Sequence, residues 1–294
     1  MDKSKLIIVQ ILNAFAENNK GGNPAGVVLG ADNLSHEYKL EIAKKVGLSE
    51  TAFVSQSQTA DFKLDFYTPT KQIAHCGHAT IATFSYLKQL GRLTTNDLSK
   101  ETIDGNRKIK IIDELAFMEQ MAPKYSNVKD KEIHILESLG LTKNQIIDKA
   151  PIQVVNTGNS FLIVPVKSSE DLASIKPNYD QINKVSEELD LIGYYVFTND
   201  MTSEKLDATS RMFAPRYGIL EESGTGMAAG PLACYLYDIL KVNKKRFQIQ
   251  QGKFMEKPSQ SLIIVDLNIE HHQIKSLMAG GKGILKNQLE IEIS

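Results

Sequence analysis

Two stretches of this chain are unsuited to the surface of a protein. Ala79–Leu87 and Met227–Tyr237 carry no charged residue, although Asp, Glu, Lys and Arg make up 23% of the 294 residues. A helix with one face in water normally bears charges on that face, so each segment reads as a short helix enclosed on most sides. Gly91 stops the first, and Ala228, Ala229, Gly230 and Ala233 allow neighbouring strands to approach the second closely.

The two segments also resemble each other. An offset of 149 lays Gly77 on Gly226, Ala79 on Ala228, Tyr86 on Tyr235 and Leu87 on Leu236. Upstream, Tyr67-Thr68-Pro69 falls on Phe213-Ala214-Pro215 at an offset of 146, and Gly22-Asn23 before an apolar strand parallels Gly158-Asn159 before Phe161-Leu162-Ile163-Val164. One supersecondary unit used twice predicts two similar lobes with a cleft between them. The length suits about two domains. The boundary is expected near Ala122-Pro123-Lys124, giving an N-terminal lobe of 1–122 and a C-terminal lobe of 123–279, with 280–294 left to complete the first.

Leu6–Phe15, Gly26–Leu29, Thr51–Val54, Lys108–Ile112, Tyr194–Phe197 and Ser261–Val265 read as strands, and Phe62, Leu64 and Phe66 alternate with Lys63 and Asp65. Ser35 caps a helix on which Leu34, Tyr38, Ile42 and Val46 recur before Gly47 stops it. Strands in consecutive runs, rather than strict strand-helix alternation, indicate an α+β class with mostly antiparallel sheet or barrel.

The formal charge, 34 − 35 = −1, provides no basic field for nucleic acid or an anionic membrane. No apolar run approaches the roughly 18 residues of a membrane-spanning helix. Two cysteines are too few for a disulfide framework and fit a reducing cytoplasm. Lys3 and Lys5 before Leu6–Val9, with Ala14-Phe15-Ala16 following, mimic a signal peptide; Gln10 and Asn13 interrupt that pattern, and the β-branched run reads as a buried first strand.

Chemistry concentrates in Ser49-Glu50, Cys76-Gly77-His78 and Glu221–Gly226. The last two precede the charge-free helices, where free N–H groups and the positive dipole end favour a carboxylate. Facing one another, they would grip a small acidic substrate from both sides. Gly77, Gly224 and Gly226 either admit such a ligand or serve only as turn residues. Glu50, beside Ala52-Phe53-Val54, suits a proton shuttle. His78 at a helix start is favoured neutral. Cys76 is either an activated thiolate or a buried small apolar residue. His75-Cys76-Gly77-His78 lacks a second pair at ligand spacing, so no metal is expected. Gly224-Thr225-Gly226 lacks the lysine of a phosphate loop.

Asn13-Ala14-Phe15, Gly22–Leu29, Leu48–Val54, Cys76–Thr80, Glu222–Gly226, Gln251-Gly252 and Lys257-Pro258-Ser259, in this order, resemble the PhzF-like isomerase family of phenazine biosynthesis over essentially the whole chain. The resemblance implies a diaminopimelate epimerase-like fold: two pseudo-symmetric lobes, each a sheet wrapped around a central helix. It implies a cofactor-free isomerisation in which Glu50 moves a proton between substrate carbons, with His78 and Glu222 as further catalytic residues. Asn23, Ser49, Cys76, Gly77, Thr80, Thr225, Gly226 and Met227 are the implied substrate-binding residues. A cytoplasmic homodimer acting on a small carboxylate, without nucleic acid, membrane, metal or cofactor, is the corresponding expectation. Two positions depart from the family pattern, Glu222 where Asp is usual and Met227 where serine is typical. They widen the expected substrate from the phenazine precursor to a small cyclic or amino-acid-like carboxylate. Cys76 matches the first cysteine of the related thiol racemases, but Ser223 occupies the second position, leaving a one-base epimerase or dehydratase as the alternative. A catalytically silent ligand- or partner-binding protein is the alternative of another class.

Overall fold

The β-branched run after Lys5 forms β1 (Lys5–Ala14), with Ile7, Val9, Leu12 and Ala14 buried while Leu6 and Ile8 face outward. The alternation is two-residue on each side of an irregularity at Ile11/Leu12 and is that of a half-buried strand. The computed structural model describes residues 5–200 and 205–293. The chain divides into two units, Met1–Glu119 with Gly280–Ser294, and Gln120–Ala279.

In the first unit, β1 pairs antiparallel with β2 (Asn23–Leu29) and with the C-terminal strand Ile284–Ile293. β2 runs parallel to β3 (Thr51–Ser55), and β3 antiparallel to β4 (Phe62–Tyr67). β4 pairs antiparallel with β5 (Gln72–Ile73) and parallel with β6 (Asp97–Thr102). The antiparallel strands β7 (Gly105–Ile112) and β8 (Leu115–Met121) follow. Between β2 and β3 lies α1 (His36–Val46), where Ser35 accepts a hydrogen bond from the Tyr38 N–H and Gly47, at φ 69°, closes the C-terminus. The charge-free helix is α2 (Gly77–Gln89), buried throughout from Gly77 to Ser85 and packed on β1, β2, β3 and the C-terminal strand. Burial of Ile81, Phe84 and Leu87 contributes about 1.5 to 3 kcal/mol each. Gly283 makes the close approach possible: a Cβ there would lie 2.6 Å from that of Ser85, whose hydroxyl accepts the Gly283 N–H at 2.9 Å.

The second unit repeats this pairing scheme. β9 (Lys124–Asn127) and β10 (Gln153–Asn156) are antiparallel, as are β10 and β11 (Ser160–Pro165). β11 runs parallel to β12 (Gly193–Thr198), and β12 antiparallel to β13 (Ala208–Ala214). β13 pairs antiparallel with β14 (Ile219–Glu222) and parallel with β15 (Arg246–Gln251), which is antiparallel to β16 (Ser261–Glu270). Helices α3 (Glu132–Leu139), α4 (Ser169–Ser174) and α5 (Tyr179–Glu188) join one apolar cluster through Ile135, Leu139, Leu172, Ile182 and Val185. The second charge-free helix, α6 (Gly226–Asp238), packs on β10, β11 and β16. Its bounds are those of α2 displaced by 149. The class is α+β, mostly antiparallel, with a central helix in each unit.

Candidate active site

In the first unit the structure brings together Glu50, Cys76 and His78. Gly47 ends α1 three residues before Glu50, whose backbone carbonyl accepts the Gly26 N–H at 3.1 Å and so fixes it at the entry to β3. Glu50 is buried, at 8% exposure. Cys76 is the extended N-cap residue of α2, and its side chain makes no capping bond. Cys76 Sγ lies 3.6 Å from His78 Nδ1, and the opposite ring nitrogen, Nε2, lies 3.3 Å from Glu50 Oε2. One imidazole thus faces a thiol and a carboxylate, the arrangement of a proton relay. Burial pushes the Cys76 thiol up, against the opposing influence of His78. A thiol so placed rests in its protonated form. Glu50 Oε2 makes no aligned hydrogen bond among the described residues.

The three donor atoms lie within 4.8 Å of one another, a spacing that could suit a soft divalent cation. The two ring nitrogens, however, point to opposite partners, and a single ion can use only one of them. A buried lysine also stands behind the cluster. Lys100, with 0% exposure, donates to Thr80 Oγ1 at 2.6 Å and to His75 Nδ1 at 3.1 Å, and lies 4.8 Å from the centre of the Phe66 ring. Thr80 in turn donates to the Cys76 carbonyl at 2.6 Å. The Thr80 hydroxyl is therefore engaged inside the protein.

The second unit holds Glu222, Ser223, Gly224, Thr225, Gly226 and Met227. Glu222 ends β14, Thr225 is the extended N-cap residue of α6, and its hydroxyl donates to Glu222 Oε2. Gln251, fully buried at the end of β15, holds this loop. Its Oε1 accepts from the Thr225 N–H at 3.0 Å and from the Tyr195 hydroxyl at 2.9 Å; its Nε2 donates to the Glu222 carbonyl at 2.7 Å and to Thr225 Oγ1 at 3.1 Å. Gly252, at φ 81°, follows, and a Cβ there would lie 2.8 Å from the Ser223 carbonyl oxygen. Gln120 donates to the Gly226 carbonyl at 2.9 Å, and Asn159 Nδ2 lies 3.6 Å from Met227 Sδ. Of the other expected residues, Asn23 is buried at the start of β2, Gly77 begins α2, and Ser49 is exposed beside Glu50.

A profile of phenazine biosynthesis-like proteins, PhzC-PhzF, matches residues 12–287. The chain belongs to this family. An uncharacterized isomerase of Clostridium acetobutylicum is 32% identical, the alignment covering 96% of this chain and 97% of the relative. A PhzF-family protein of Bacillus anthracis, known from a crystal structure, superposes with a TM-score of 0.88 at 28% identity, covering 98% of this chain and 100% of that one. The trans-2,3-dihydro-3-hydroxyanthranilate isomerase of Pseudomonas chlororaphis is 27% identical over 93% of this chain and 95% of its own.

Sequence reasoning passed over three residues of this PhzF-family chain. Gln251 stood out only as part of a Gln-Gly pair, and Gln120 and Lys100 not at all. For Lys100 a signal existed: it falls between Leu98 and Thr102 on the inward positions of β6.

Proposed function

We propose that this PhzF-family chain is an isomerase that moves a proton between carbons of a small carboxylate-bearing substrate, cyclic or amino-acid-like, with Glu50 as acid and base. The observation that carries the reading is the buried Glu50 Oε2 lying 3.3 Å from His78 Nε2. The Glu50 carboxylate accepts a proton from one substrate carbon and returns it to another. His78 stands beside that carboxylate, its Nε2 3.3 Å from Oε2, and serves as the partner with which Glu50 exchanges a proton. Negative charge that develops on the substrate is stabilised by the N–H groups at the start of α2. In the second unit Glu222, which accepts the Thr225 hydroxyl, is the corresponding acidic group. The names of the Clostridium acetobutylicum and Pseudomonas chlororaphis relatives support isomerisation.

A two-thiol racemase is disfavoured. Cys76 is a protonated thiol, Ser223 stands in the place of a second cysteine, and Cys234 is enclosed within α6. The test is solvent exchange: in D2O, with trans-2,3-dihydro-3-hydroxyanthranilate and related amino-carboxylates, Glu50→Gln should lower deuterium incorporation by about 100-fold or more. Near wild-type exchange in that variant would exclude Glu50 as the shuttle.

A further inference from the structure

Lys100 is the charge in the first unit that the chemistry above leaves unused. Among the described residues no carboxylate lies within ion-pair distance of it; its partners are the Thr80 hydroxyl, His75 Nδ1 and the face of Phe66. A fully buried cation without an anion is costly, and the protein would be more stable with an apolar residue in its place. Burial and Lys100 itself hold the His75 imidazole neutral, and Arg107, the other cation that acts on these groups, is paired with Asp104. Thr80 links the ammonium to one defined point of the backbone, the Cys76 carbonyl at the N-cap of α2.

We propose that Lys100 is a positioning residue for the anion site at the start of α2: through Thr80 it fixes the Cys76-Gly77-His78 turn, and it places a positive charge behind the N–H groups that receive the substrate carboxylate. The inference rests on the isomerase reading for the identity of that anion. The helix dipole and the lysine have the same sign at this point, so both favour a negative ligand. Burial pushes Lys100 down to about 7; Cys76 and Asp104 oppose this with smaller effects, and Arg107 adds to it. The charge behind the site is therefore present in mildly acidic solution and lost in mildly alkaline solution.

The test uses the full chain and anthranilate, an aromatic amino-carboxylate whose own charge is constant from pH 6 to 8.5. The Lys100 side-chain signal, assigned by its loss in Lys100→Met, and the Gly77 and His78 amide signals are followed by NMR across that range. In wild type the amides should shift with the same midpoint as Lys100, and the anthranilate Kd should rise about tenfold from pH 6 to 8.5. Lys100→Met and Thr80→Val should abolish both the amide shift at that midpoint and the step in Kd, and Thr80→Ser, which keeps the hydroxyl, should restore them. A side chain that only fills space would leave the pH dependence in place. Amides that ignore the Lys100 titration, or a Kd step that survives in Lys100→Met, overturn the proposal. Should Lys100→Met fail to fold, the Thr80→Val and Thr80→Ser pair decides. Should anthranilate not bind, the amide titration decides. Failure of the isomerase reading shows separately, as unchanged deuterium exchange in Glu50→Gln.

Discussion

Lys100→Met should change how stability depends on pH. In the unfolded chain a lysine keeps its proton to about pH 10.4; in the fold, burial lowers Lys100 to about 7. Below about pH 7 both states are protonated, and the burial penalty is present in full. Between about 7 and 10.4 the unfolded chain holds a proton that the folded chain has released, so stability rises with pH. Above that range the contribution is again constant. At about 1.4 kcal/mol per pH unit, the interval from about 7 to the ordinary value of 10.5 corresponds to roughly 4 to 5 kcal/mol. That is a large share of a typical folding free energy. Urea unfolding of wild type and Lys100→Met at steps from pH 6 to 10 isolates this contribution, because other groups titrate alike in both proteins. Wild type should gain on the variant by several kcal/mol, almost all above pH 7. A difference independent of pH, or one that falls as pH rises, would refute the argument.

Gln251→Leu keeps the volume but leaves the Thr225 N–H and the Glu222 carbonyl without the amide. At about 1 to 3 kcal/mol for each buried polar group so left, urea unfolding should show a loss of about 3 kcal/mol, and a loss below about 1 kcal/mol would mean that water replaces the amide freely. Cys76→Ala should change solvent deuterium exchange less than tenfold, since burial pushes the thiol up. Iodoacetamide should alkylate Cys76 slowly at pH 7 and faster only as pH rises. Rapid alkylation at neutral pH, blocked by substrate, would instead indicate a working thiolate.

The enclosed helices were legible because a missing property marked them. Ala79–Leu87 carries no charge, and the helix is buried at every position from Gly77 to Ser85. The strand pairing was less legible. Nothing local to Val27 or Ala52 shows that β2 and β3 run parallel, because parallel pairing depends on a crossover, here α1, that brings distant segments together. The amides that hold the second loop were hidden for the same reason: Gln251 reaches Thr225 across 26 residues and Gln120 reaches Gly226 across 106. Lys100 was obscured by its residue type. Lysine is seldom buried, and only its place in the alternation of β6 argued otherwise.

How the helices begin connects the fold to the proposed chemistry. Helices α1, α4 and α5 are closed by side chains: Ser35, Ser168 and Asn178 accept the Tyr38, Asp171 and Gln181 N–H groups. At α2 and α6, the two central helices, the N-cap residues Cys76 and Thr225 make no such bond. Without a side-chain cap such a helix start keeps more of its positive dipole end unscreened, a cost that a capping serine would reduce. At α2 the same turn is anchored to a buried cation that also lowers stability. Both costs have one sign of charge in common. An anionic ligand offsets both at once, and a neutral or cationic one offsets neither, which is the physical ground for proposing a carboxylate-bearing substrate.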